Sequence, residues 1–224
     1  GIQIIGSNPS VPSSLPSPTA GEISLNNVSV SGNYRAALLG IQEFDGIDNL
    51  TMKDVTLGGQ TDAGTESSGW GSLFLSNLGS SDIDLGNTSF DAVNGQYIIL
   101  GAGPTYSTIN NVDATSTTFE GVSAVDLTAE QSFAVEDKVF HKMDYAPQGL
   151  VTWQDGNVFV TENTLGIQHG VDVSDAGDIV NIDNGTYQEN LLLDKSIKLS
   201  GNDTTIEYDV DEDGPGRGGD GNII

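Results

Sequence analysis

The sequence predicts an all-β protein wound as a parallel β-helix, and three observations predict it. The composition is that of a turn-rich β chain: 29 of 224 residues are glycine, and Ser, Thr, Asn and Asp fill most of the polar positions. Helical periodicity is scarce, and short alternating runs broken by Gly, Asn and Asp take its place. One such run also recurs. Ile23–Gly32 (ISLNNVSVSG), Leu50–Gly59 (LTMKDVTLGG), Ile83–Ala92 (IDLGNTSFDA) and Val112–Gly121 (VDATSTTFEG) share one pattern. It ends on Val30, Leu57, Phe90 and Phe119, spaced by 27, 33 and 29 residues. Self-similarity at that period points to a solenoid. A β-sandwich is the alternative, because strand-length runs at regular spacing suit it as well.

Within each run, alternation puts residues such as Ile23, Leu25, Val28 and Val30 on one side. The two apolar pairs lie three apart, so the chain must bend between them. Asn26-Asn27, Lys53-Asp54, Gly86-Asn87 and Thr115-Ser116 are the expected corners of a coil. Stacked coils place like residues over like, so Val30, Leu57, Phe90 and Phe119 are expected to form an internal ladder. Asn8–Ala20, with four prolines, reads as an extended excursion from a coil, and Gly58–Gly69 as a turn-rich one. Residues 1–132 are thus the coils at the end of one repeat unit. Residues 133–165 read as junction strands: the stretch is richer in aromatics, carries the charged groups Glu136-Asp137-Lys138 and His141-Lys142, and contains a buried-strand run, Val158-Phe159-Val160. Residues 166–224 read as a cap and the first coils of the next unit, ending in an acidic loop.

The stretch Ile167–Gly201, IQHGVDVSDAGDIVNIDNGTYQENLLLDKSIKLSG, resembles the opening coils of the right-handed parallel β-helix superfamily, the pectate-lyase-like fold. The match rests on Ile167, Gln168, Val171, Gly177, Asp178, Val180, Ile182, Gly185-Thr186-Tyr187, Glu189, Ile197, Leu199 and Gly201. The resemblance implies a right-handed solenoid. It also implies a short capping helix near 167–176 over its apolar end, and Tyr187 as the first inward aromatic of the second coil. It says little about activity, because lyases, esterases, adhesins and plain stalks share that fold. The junction is similar to linkers between β-helix units of large secreted or surface repeat proteins of bacteria. Ser196–Asn202 also echoes Gly1–Ser7, which makes the chain read as a window from a tandem array.

Seven basic residues stand against 32 acidic ones, a formal net charge of −25. Such a chain repels nucleic acid and anionic membrane surfaces, and favours cations as partners. No apolar run reaches the roughly 18 residues a membrane helix requires, so no membrane insertion is expected. Cysteine is absent, which excludes disulfides and thiolate metal sites. The sharpest motif is Asp209–Asp220, DVDEDGPGRGGD, whose spacing fits a twelve-residue Ca²⁺ loop. Asp209, Asp211 and Asp213 take positions 1, 3 and 5, Gly214 the turn, Pro215 a carbonyl ligand and Asp220 the closing carboxylate. An acidic surface turn is the alternative, although its crowded carboxylates would repel one another. The two histidines, His141 and His169, lack a partner histidine at metal spacing and read as surface or structural residues. Trp70, in a Gly/Ser-rich excursion, is a weak candidate for stacking on a glycan.

No catalytic set emerges, because with only Arg35 and Arg217 the chain lacks the basic residues that β-helix lyases, hydrolases and esterases use. The expected function is therefore a non-enzymatic structural or adhesive module of a secreted or cell-surface repeat protein. It would be stiffened by Ca²⁺ and self-associate end to end into fibres. A polysaccharide-binding or polysaccharide-active β-helix is the alternative.

Overall fold

A computed structural model describes residues 2–5, 21–32, 39–42, 47–59, 71–76, 83–101 and 111–207. The described residues are largely β, with twenty strands and two α-helices. Three five-stranded sheets come first. One is ordered β1 (Ile2–Ile5), β4 (Leu39–Gln42), β7 (Leu73–Ser76), β10 (Ile98–Leu100) and β14 (Val139–Phe140). The second runs from β2 (Gly21–Asn26) through β5 (Ile47–Lys53), β8 (Ile83–Asp84) and β11 (Val112–Asp113) to β15 (Val151–Thr152). The third runs from β3 (Ser29–Ser31) through β6 (Thr56–Gly58), β9 (Ser89–Asp91) and β12 (Thr118–Phe119) to β13 (Val122–Ser123). Followed along the chain, consecutive strands visit the three sheets in turn and move one place along each sheet per circuit, apart from β13, which folds back beside β12. Among the described pairings every contact is parallel except that of β12 with β13. The prevailing parallel pairing departs from the antiparallel sheets of a β-sandwich.

The ladder expected from the sequence is present: Val30 pairs with Leu57, Leu57 with Phe90, and Phe90 with Phe119. All four are buried. The Phe90 and Phe119 rings stack with centroids 5.4 Å apart and planes 9° from parallel. The corners fall where the apolar pattern resets. Asn27 and Asp54 adopt φ of 54° and 52°, a left-handed conformation that Asn and Asp tolerate better than most side chains. The next corner uses Gly86 at φ 51°, where a Cβ would collide with the carbonyl oxygen of Met52. Stacked corners also bond each other, as Asn87 Nδ2 donates to Asp54 Oδ1 at 3.1 Å. Where Val28 and Val55 stand in the first two circuits, the later ones carry Thr88 and Thr117. Their buried hydroxyls donate to the carbonyls of Leu85 and Ala114, so the polar replacement costs no unpaired group.

A second apolar cluster follows, built on β16 (Asn157–Val160), β17 (Ile179–Ile182) and β19 (Lys198–Gly201), with a parallel pair β18 (Gly185–Gln188) and β20 (Thr204–Glu207) beside it. Strand β16 serves both clusters. Its Phe159 packs in the first with Trp153 and Phe133, while Val158 and Val160 pack in the second with Val171 and Val180. Strand alternation accounts for this division. Helix α1 (Ala129–Glu136) lies across the 132/133 position where the sequence changes texture, and contributes Phe133 and Val135 to the first cluster. Helix α2 (Ile167–Val173) contributes Ile167 and Val171 to the second, within the stretch expected to form a short capping helix.

Candidate functional site

The polar chemistry of the described residues gathers around the two helices. Helix α1 opens on Thr128-Ala-Glu-Gln131, a capping box. The Gln131 N–H donates to Thr128 Oγ1 at 3.3 Å, and the Thr128 N–H donates to Gln131 Oε1 at 3.0 Å. This start sets which face points inward, and that face is mixed: Ser132 and Glu136 are buried along with Phe133 and Val135. Glu136 meets His141, just beyond β14, with Nε2 and Oε1 2.9 Å apart and both side chains 1% exposed. The other ring nitrogen, Nδ1, accepts the Val151 N–H of β15 at 2.9 Å. His141's own N–H donates to Asp144 Oδ2 at 2.9 Å. One imidazole thus ties α1, β14 and β15 together.

These contacts decide the protonation pattern. Because Nδ1 accepts a hydrogen bond, its lone pair is in use and the ring proton sits on Nε2, donated to Glu136. Burial pushes the Glu136 carboxyl above its ordinary range, with His141 pulling the other way. For His141 burial works against the imidazolium, but the Glu136 and Asp144 carboxylates outweigh it and raise its pKa. The pair therefore holds an added proton more firmly than either group does in water, and the Val151 contact directs that proton to Glu136.

Glu136, His141 and Asp144 each bring a potential ligand atom within 4.8 Å of the others. The donor set nevertheless does not fit a metal. Coordination through Nε2 would move the ring proton to Nδ1, against the Val151 N–H, and coordination through Nδ1 would displace that N–H outright. Nor is the pair placed for acid–base work on an outside molecule, since both side chains are shut from solvent. Its work is structural. His141 was expected from sequence to be a surface or structural residue, but its pairing with Glu136, five residues away, was not read. Two ionisable groups flanking an apolar Val139-Phe140 strand were the available signal.

Helix α2 is held differently. Gly166 precedes it and supplies no side-chain cap, and the Glu189 carboxylate takes that role from beyond β18. Its oxygens accept the N–H groups of Ile167 and Gln168, both at 2.8 Å. In the same first turn, the Gln168 side chain donates to the Leu192 carbonyl at 3.3 Å and accepts the Leu192 N–H at 2.7 Å. At the far end Lys195 Nζ donates to the carbonyls of Asp172 and Ser174 at 3.1 and 2.9 Å. Residues 189–195 thus form a strap bonded to both ends of the helix. Gln168 and Glu189 are positions of the resemblance noted above, and this clasp is what they do here. Tyr187 is buried, and His169 Nε2 lies 2.8 Å from the Lys142 carbonyl.

The expected Ca²⁺ ligands Asp209, Asp211, Asp213, Pro215 and Asp220 lie outside the described residues, as does Trp70. The structure brings together instead the Glu136–His141 pair and the α2 clasp. Compared with protein-family profiles, curated proteins and solved structures, the chain matches none of them.

Proposed function

We propose that the chain is a stretch of right-handed parallel β-helix acting as a non-enzymatic structural module of a secreted or cell-surface repeat protein, stacking end to end with its neighbours. One observation carries this reading: three parallel sheets are visited in turn, one place per circuit, with Val30, Leu57, Phe90 and Phe119 in register. Such coils bury apolar surface only against other coils. Among the described residues β1, β2 and β3 pair on one side only, and so do β19 and β20. A free strand edge is a template for further strand pairing. The reading is also supported by two groups of kinds that elsewhere perform chemistry: both ring nitrogens of His141 and the carboxylate of Glu189 are bonded within the chain. Within this reading the Asp209–Asp220 loop holds Ca²⁺ through the carboxylates of Asp209, Asp211, Asp213 and Asp220 and the Pro215 carbonyl, and so stiffens the module.

Negative-stain electron microscopy with millimolar Ca²⁺, and again with EGTA, tests it. The expected result is end-to-end chains or filaments that shorten in EGTA. Discrete particles that never associate in either condition would overturn the stacking role and turn attention to polysaccharide binding.

A further inference from the structure

Three buried polar atoms beneath α1 have no hydrogen-bond partner among the described residues: Ser132 Oγ, Glu136 Oε2 and Trp153 Nε1. Ser132 and Glu136 lie one turn apart on the inward face of the same helix. Trp153 sits against the same group of residues. Its ring stacks on Phe159 with centroids 5.3 Å apart, Phe159 meets Phe133 of α1 edge-on at 5.8 Å, and the Trp153 and His141 rings are 6.2 Å apart. His141 in turn bonds Glu136 through Oε1. These contacts place the three residues that carry the orphaned atoms around one small region bounded by α1, β16 and the residue that follows β15.

Leaving three such groups unpaired would cost about 1–3 kcal/mol apiece, more for a carboxylate. Their chemistry is complementary. The indole N–H can only donate, the carboxylate oxygen accepts, and the hydroxyl does either. A bound cation would be repelled by the indole N–H, and an anion by Glu136. A single neutral molecule with both donors and an acceptor satisfies all three. We propose that this region is a binding site for one ordered water, which accepts from Trp153 Nε1 and donates to Glu136 Oε2 and Ser132 Oγ. Three partners are the usual number for a structural water. The water completes the coordination of the Glu136 carboxylate, whose other oxygen is taken by His141, and it bonds α1 to the floor of the coil beneath it.

The chain has two tryptophans, so its indole N–H region holds two signals and a Trp70→Phe variant assigns that of Trp153. The test is water-to-indole cross-relaxation by NMR on this ¹⁵N-labelled variant, paired with a high-resolution crystal structure. The expected result is a dipolar cross-peak with the sign of a long-lived bound water, and density for one oxygen about 2.7–3.2 Å from all three atoms. In Ser132→Ala the cross-peak should persist, because the indole and the carboxylate remain. Density showing the three atoms bonded to protein groups, or a Trp153 N–H with no water cross-peak, would overturn the proposal.

Discussion

The two helices sit at comparable places, each packed on β16, and they are secured in opposite ways. Helix α1 carries its own N-terminal cap in Thr128 and Gln131, and is fixed at its other end by one deeply buried pair, Glu136 with His141. Helix α2 has no N-terminal side-chain cap of its own and takes polar contacts at both ends from the strap at 189–195, contacts that are half-buried or exposed. The first arrangement concentrates stability in one dry contact that is costly to disturb. The second spreads it over several wet contacts, each worth little. Cutting each helix loose in turn tests this contrast.

The largest effect is expected at the buried pair. His141→Ala leaves the Glu136 carboxylate enclosed without its donor and frees the Val151 N–H. Removing one partner of a buried pair destabilises by about 3–5 kcal/mol, which a urea titration at neutral pH would read as a lower midpoint. A loss no greater than that of a surface substitution would mean that the pair is not closed off as described.

The same pair makes stability depend on pH in a particular direction. Glu136 and His141 both bind protons more firmly in the folded chain than their ordinary values of 4.5 and 6.5. Folding therefore takes up protons. The resulting stabilisation is full below the ordinary values, 4.5 for Glu136 and 6.5 for His141, and is lost as the pH rises through the raised folded values. Glu136→Gln keeps an oxygen to accept from His141 but cannot ionise. The wild-type chain should therefore lose stability relative to Glu136→Gln as the pH rises from the ordinary Glu value of 4.5 to neutral and above. A stability difference that stays flat across that range would remove the proton-linked part of the contrast.

How far the sequence revealed these features follows the same division between local and distant. The ladder was legible because in-register parallel pairing puts like beside like, and Val30, Leu57, Phe90 and Phe119 end similar runs even though the intervals between them vary. The corners were legible as well, since the apolar pattern changes phase there. Helix α1 was not. It has only eight residues, and its inward face carries Ser132 and Glu136 beside Phe133 and Val135, so no apolar stripe announces it. The Thr128-x-x-Gln131 spacing was the signal that could have found it. Helix α2 was reached through resemblance, but its caps were out of view, because Glu189 acts across 22 residues and Lys195 across 21 to 23. No local pattern joins groups so far apart.

The smallest effects are expected in that strap, and they rank by charge and position. Glu189→Ala removes an acceptor from two N–H groups in the first turn of α2 and also its favourable interaction with the helix dipole, for a loss of about 2 kcal/mol. Lys195→Met keeps most of the apolar stem but takes the ammonium from the Asp172 and Ser174 carbonyls, where water can partly replace it, for a loss of about 0.5 kcal/mol. Both losses have a charge-dependent part, so both should shrink when the urea titrations are repeated at about 1 M salt, where the Debye length falls to about 3 Å. The loss from His141→Ala should not, because its pair is shut from solvent and its ions. If all three variants weakened together with salt, the two helices would be held by the same kind of exposed contact, and the distinction between a buried latch and a wet strap would fail.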